Sequence, residues 1–243
     1  MTKVTEIAPD VYRISTFLTD GDIQMNQFLV KDDEPLLWHT GQKYLFTYVR
    51  DAVARLIDPS LIRRIGFSHF EPDECGSINE WLQVAPAAQH FCSIVGARIN
   101  MRDYTSKPAE GLNHLETFTT GKYKFRFIST PHLPHGWDAG HLFEEVNGTL
   151  FCSDLLHQNG DAEPLTASDI ISAAKKNFVD FQAGSFRDYM PYTTNTERQL
   201  GDLADLKPKT LAIMHGSSFN GDCAEALRDL AATMKEVLTR QGT

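Results

Sequence analysis

Apolar and polar positions early in the chain alternate with the short period of half-buried strands. Residues 11–15, 25–30 and 35–38 read as strands, separated by the turn-formers Asp20-Gly21-Asp22 and Lys31-Asp32-Asp33-Glu34. This order predicts antiparallel pairing. From Tyr44 onward the period lengthens, so 44–57 predicts a helix, 62–67 a buried strand and 73–84 a further helix. A strand over 89–94, a short helix over 95–101 and an alternating strand over 122–129 follow. Next comes a hairpin that pairs 141–146 with 149–153 across Asn147-Gly148. Helices near 167–176 and 195–206, an apolar strand over 210–214 and an amphipathic helix over 223–239 complete the pattern. The alternation predicts an α/β (α+β) chain with sheets sandwiched between helices.

Composition narrows the function classes. The 243 residues carry no internal repeat or Pro/Ser/Gly-rich linker, so 1–243 reads as one domain. With 42% hydrophobic residues there is material for a packed core. A formal charge of -9 argues against a nucleic-acid surface. No apolar run approaches the roughly 18 residues of a membrane span, and Met1-Thr2-Lys3-Val4-Thr5-Glu6 lacks a basic-then-apolar signal. A cytoplasmic protein is expected. Cys75, Cys92, Cys152 and Cys223 are far apart and form no C-x-x-C pair, which predicts reduced, mostly buried thiols.

Metal-ligating side chains recur where predicted strands end, the place at which α/β folds gather ligands. After residues 62–68 comes His69-Phe70-Glu71-Pro72-Asp73-Glu74, whose alternate side chains His69, Glu71 and Asp73 converge if the turn opens there. After 122–129 comes Pro131-His132-Leu133-Pro134-His135-Gly136-Trp137-Asp138; after 149–153 comes Asp154; after 210–214 comes His215-Gly216. A histidine at a strand end is commonly structural, and an aspartate there is commonly a helix cap. Four such ends together point to a common cause, and a dinuclear metal site is the simplest.

These residues resemble the metallo-β-lactamase superfamily, and within it the flavodiiron proteins and their shorter relatives, the oxygen-binding di-iron proteins. The hydrolytic branch uses H-x-H-x-D-H and the di-iron branch H-x-E-x-D-H; this chain has His69-x-Glu71-x-Asp73. Asp154 follows His135 by 19 positions and His215 follows Asp154 by 61, as in the di-iron branch. Asn26, Pro131, Asp138, Tyr189-Met190-Pro191 and His215-Gly216 also have family counterparts. Three features depart from the pattern. Glu74 replaces the last histidine, His39 replaces the aspartate of the fourth strand, and the chain stops after a helix ending near Arg240, without a flavodoxin domain.

The resemblance implies an αββα sandwich of two mixed sheets flanked by helices, and a pair of iron ions. It assigns His69, Glu71 and His135 to one ion, Asp73 and His215 to the other, and Asp154 to both, with Glu74 a possible seventh donor. Glu71 in place of a histidine makes the donor set richer in oxygen, which suits iron better than zinc. The expected ligand is O2 or NO, with an external redox donor or a signalling partner, and a homodimer is the family habit. His132, Tyr189 and Tyr192 are candidates for hydrogen bonding around the metals. Phe70 and Trp137 could shield the site or simply pack. His90, His114, His141 and His157 are expected on the surface or in structural hydrogen bonds. The competing reading is a hydrolase with a pair of zinc ions that activate water.

Overall fold

In the computed structural model, which describes residues 2–239, two seven-stranded mixed sheets pack face to face beneath outer layers of helices. The first sheet follows chain order: β1 (Lys3–Ala8), β2 (Val11–Leu18), β3 (Ile23–Val30), β4 (Leu36–Trp38), β5 (Arg64–Gly66), β6 (Gln89–Ser93) and β7 (Glu110–Leu112). Pairing is antiparallel from β1 to β4 and parallel from β4 to β7. The second sheet contains β8 (Thr117–Thr119), β9 (Lys124–Ser129), β10 (Gly140–Glu144), β11 (Thr149–Ser153), β12 (Leu165–Thr166), β13 (Thr210–Ile213) and β14 (Ser218–Phe219). Its order is β12-β14-β13-β11-β10-β9-β8, with β11–β13 and β12–β14 parallel.

Side-chain alternation along the strands builds three apolar layers. Phe28, Val30, Leu36 and Trp38 of the first sheet meet Phe125, Phe127, Phe151 and Ala212 of the second. Their neighbours Leu29, Leu37 and Ile65 point the other way, onto Val49 and Trp81 of the helices Phe46–Val53 and Ile78–Val84. On the far side Leu150, Cys152, Leu211 and Ile213 pack on Leu200, Leu203, Leu227 and Leu230 of the helices Thr196–Asp205 and Cys223–Leu238. Each fully buried side chain of this kind contributes roughly 1.5–3 kcal/mol relative to exposure. Strands such as Leu36-Leu37-Trp38 are therefore apolar throughout, because both of their faces are covered.

The αββα arrangement agrees with the expectation, and several boundaries differ. The helix expected over 73–84 is two, Pro72–Cys75 and Ile78–Val84. The break falls at Gly76-Ser77, where the Ser77 hydroxyl donates to Thr40 O at 2.7 Å. The helix expected over 167–176 is Ile171–Ala183, because Asp169 accepts the free N–H groups of Ile171 and Ser172 and so fixes its start. In the hairpin β10–β11 the connection is longer than Asn147-Gly148 alone, since Glu144 accepts from Val146 N and Asn147 N. The closing helix ends at Leu238; Met1 and Arg240 lie outside the described residues. All four cysteines are buried and unpaired. Among the described residues no helix is long and apolar enough to cross a membrane.

Candidate metal centre

Four connections bring the predicted donors together. Beyond β5 the chain runs through Ser68 to His69. Glu71 is extended (φ -143°, ψ 154°) and Pro72 opens the short helix that carries Asp73 and Glu74. The Asp138 carboxylate accepts from Phe70 N at 3.1 Å and Asn100 Nδ2 at 3.0 Å, which anchors this loop to the turn that holds His135. Asp154 follows β11 directly. His215 follows β13, where Asn26 Nδ2 donates to Ile213 O at 2.9 Å and Gly216 O at 3.0 Å. Gly216 has φ +108°, and a Cβ there would lie 2.6 Å from Gln158 Cβ, so the backbone passes where only glycine fits.

The donors gather in two groups that share Asp154. Donor atoms of His69, Glu71, His135 and Asp154 lie within 4.8 Å of one another, as do those of Asp73, Asp154 and His215. Glu71 Oε2 is 3.1 Å from both His69 Nε2 and His135 Nε2. Asp154 turns Oδ2 to His135 Nε2 at 3.0 Å and Oδ1 to His215 Nε2 at 3.2 Å, and Asp73 Oδ2 is 3.3 Å from His215 Nε2. All six predicted donors fall in these two groups.

The rings are oriented from behind. His215 Nδ1–H donates to Gln24 O at 2.9 Å, which leaves Nε2 as the inward-facing atom. His69 Nδ1 is 3.0 Å from Ser68 Oγ, which also contacts Ser153 Oγ at 2.7 Å and His39 Nε2 at 3.1 Å. Thus His39 serves the hydrogen-bond network behind the site. Its own burial lowers its pKa to about 3, so it is neutral there.

Burial opposes every charge in this centre, and the pairing overcomes it for most groups. His135 is raised to about 9 by hydrogen bonds to Asp154 and Glu71, despite burial that would lower it. His215 is raised to about 10 against the same penalty, by Asp154 and Asp73. Burial would raise the Glu71, Asp73 and Asp154 carboxyls, but the histidines hold all three below their ordinary values. Glu74 is the exception: burial, with the Asp73 and Asp154 charges beside it, pushes it well up.

The donor chemistry fits a pair of divalent cations. Several carboxylates converge with inward-facing imidazole nitrogens, and without a cation only protonated histidines compensate them. His69, Glu71, His135 and Asp154 could hold one cation, and Asp73, Asp154 and His215 the other.

The remaining candidates divide. Tyr189 belongs to the site, with its hydroxyl 2.9 Å from His135 Nε2 and 3.3 Å from Asp154 Oδ2. Tyr192 does not, because its hydroxyl donates to Glu197 at 2.9 Å on the far side of that connection. His132 is exposed on its turn and outside both groups. Phe70 and Trp137 are 40% and 51% exposed, too open to seal anything. His90 and His141 are buried and bonded to Thr105 and Thr130, whereas His114 is exposed.

Sequence reasoning passed over Ser68, the bridging hydroxyl; His157 is buried and bonded to Asn159, in one of its two expected settings, but its ring also lies 4.6 Å from that of His215. Sequence reasoning also passed over Phe181 and Phe186, which join Met25, Glu71, Asp73 and His215 around a cavity of about 380 Å³. A serine before a strand-end histidine was the one available signal; the others depend on tertiary packing.

Comparison with known proteins bears on the fold and the family. The chain is 24% identical over 201 residues to the rubredoxin-oxygen oxidoreductase of Megalodesulfovibrio gigas, covering 81% of this chain and 49% of the relative. It is 25% identical over 205 residues to the flavo-diiron protein FprA2 of Clostridium acetobutylicum, covering 82% and 50%. The chain thus spans about half the length of these relatives. The solved rubredoxin oxygen:oxidoreductase of Desulfovibrio gigas superposes with a TM-score of 0.79 at 19% identity, covering 95% of this chain and 61% of that one. Residues 23–216, which include all six donors, match the model of the ODP family beta lactamase, and the chain belongs to that family.

Proposed function

We propose that this protein is a non-haem di-iron protein that binds O2 or NO and reduces it when an external donor supplies electrons. The observation that carries the proposal is the oxygen-rich donor set, divided into two groups around Asp154. His69, Glu71 and His135 would hold one iron, Asp73 and His215 the other, with Asp154 between them. Bound there, the iron pair would supply electrons to a diatomic ligand, and the carboxylates would favour its oxidised state.

The surrounding residues have defined tasks. Gln24 O and Ser68 Oγ hold His215 and His69 in orientation. Burial beside the carboxylates raises the Tyr189 phenol, so it stays protonated as a hydrogen-bond donor at the site. Met25 and Phe181 give the cavity an apolar wall beside the donors. The chain's relatives are named for a flavin or a rubredoxin partner, which supports an external redox protein as electron source. Four buried, unpaired thiols agree with a reducing, cytoplasmic setting.

To test this, the metal-free protein is loaded anaerobically with ferrous iron, air is admitted, and the visible spectrum and oxygen uptake with excess reductant are recorded. New charge-transfer absorption is expected. Uptake of many equivalents of O2 marks a reductase and of about one equivalent a sensor. Selective retention of zinc with cleavage of a chromogenic ester, and no oxygen reactivity, would establish the hydrolase instead.

A further inference from the structure

Glu74 stands where the di-iron pattern has its last histidine. Its side chain is fully buried, and among the described residues no donor reaches its carboxylate oxygens; its close side-chain partner is another carboxyl, that of Asp73. A buried carboxylate that no donor or cation reaches is among the costliest groups a core can hold. Its backbone is anchored here, because the main-chain carbonyl of Glu74 accepts from Thr40 N at 2.7 Å and Thr40 Oγ1 at 3.3 Å. The carboxylate faces the donors: Oε2 is 3.8 Å from His69 Nε2, and a Glu74 oxygen lies within 4.8 Å of donor atoms of Glu71 and Asp73. It therefore adjoins both groups. The group around His215 has three donors against four in the other, so one more protein donor is wanted on that side.

We propose that Glu74 is a seventh metal ligand, which replaces the nitrogen of the missing histidine with oxygen and completes the position held by Asp73 and His215. The inference rests on the proposal that these side chains hold a pair of cations. Glu71, Asp73, Glu74 and Asp154 then offset the whole charge of two divalent ions, where the histidine pattern would leave one positive charge. With a single nitrogen, from His215, that position prefers manganese or iron to zinc more strongly than its partner does.

The test compares the wild-type chain with Glu74→Gln and Glu74→His, each stripped of metal and titrated anaerobically with Fe(II), Mn(II) or Zn(II) alone. Metal per chain and thermal unfolding are measured. For Glu74→Gln, the first equivalent should bind as in wild type and the second at least about tenfold more weakly. Metal-free Glu74→Gln should unfold at about the wild-type temperature, because the amide keeps the shape of the side chain and can donate to Asp73 in place of the carboxyl. Glu74→His should regain the second equivalent with its preference moved toward zinc. Wild-type binding of both equivalents by Glu74→Gln, with unchanged preference, would overturn the assignment and leave the metal pair standing. So would second-site loss accompanied by a lower metal-free unfolding temperature, which marks a structural role. A wild-type chain that binds no metal removes the proposed function and this ligand with it.

Discussion

In the metal-free protein Asp154 is the shared counter-ion of two protonated histidines, so Asp154→Asn removes a buried anion while keeping its shape. His135 titrates at about 9 and His215 at about 10, against 6.5 when unfolded. At about 1.4 kcal/mol per pH unit, the folded state gains roughly 3 and 5 kcal/mol from holding these protons. Each histidine has two carboxylate partners, Glu71 with Asp154 and Asp73 with Asp154, so about half of that total, ~4 kcal/mol, belongs to Asp154. Relief of its burial returns part of this, which leaves a loss of about 3 kcal/mol. The pH dependence has a fixed sign. A histidine raised in the folded state contributes fully below its unfolded pKa and loses the contribution as pH climbs through the folded value. Asp154 stays ionised well into acid. Urea unfolding of both proteins, followed by tryptophan fluorescence, should therefore show the widest gap near pH 6 and a gap shrinking toward pH 10. A difference that is flat with pH, or that grows in alkali, would refute the electrostatic reasoning.

Four further outcomes are expected. Asn26→Ala takes the side-chain donor from Ile213 O and leaves Gly216 O to Arg13 Nη2, so it should cost about 1–2 kcal/mol, read as a lower urea midpoint. Gly216→Ala forces a Cβ against Gln158 at positive φ; it should cost about 2 kcal/mol or more and weaken metal binding at His215 more than at His69. Ser68→Ala removes the hydroxyl behind His69 and should weaken metal binding about 10- to 100-fold in a chelator competition; because His39 and Ser153 lose the same hydroxyl, it should also cost about 1–2 kcal/mol of metal-free stability. Because His135 and His215 are protonated near neutral pH, metal loading should release about two protons per chain from these histidines to an indicator dye at pH 7, plus one from Glu74 if it ligates, and affinity should rise with pH.

The donors are legible in the sequence because they sit at strand ends, where spacing is short and the residue types are restricted. His69, Glu71 and Asp73 need only an extended step at Glu71 and a proline-started helix to converge, and the residues themselves provide both. The layers are legible for a similar reason, since doubly covered strands such as Leu36–Trp38 are apolar on both faces. Edge elements are harder. In β1, Lys3–Ala8, one residue in six is buried, and β12 and β14 have two residues each, too few to show a period. The helix break at Gly76-Ser77 depends on Thr40, and the packing of His157 on His215 depends on distant loops, so neither leaves a local trace. Tyr189 and Tyr192 look alike in sequence; their roles diverge because one turns inward and the other meets Glu197.

A crystal of the protein loaded anaerobically with ferrous iron, measured at the iron absorption edge, decides whether six side chains from four loops enclose a redox-active metal pair. Two anomalous peaks per chain are expected, one among His69, Glu71 and His135 and one between Asp73 and His215, with Asp154 touching both. No peak, or a lone peak outside these residues, would show that the carboxylates and histidines pair with each other and hold no metal.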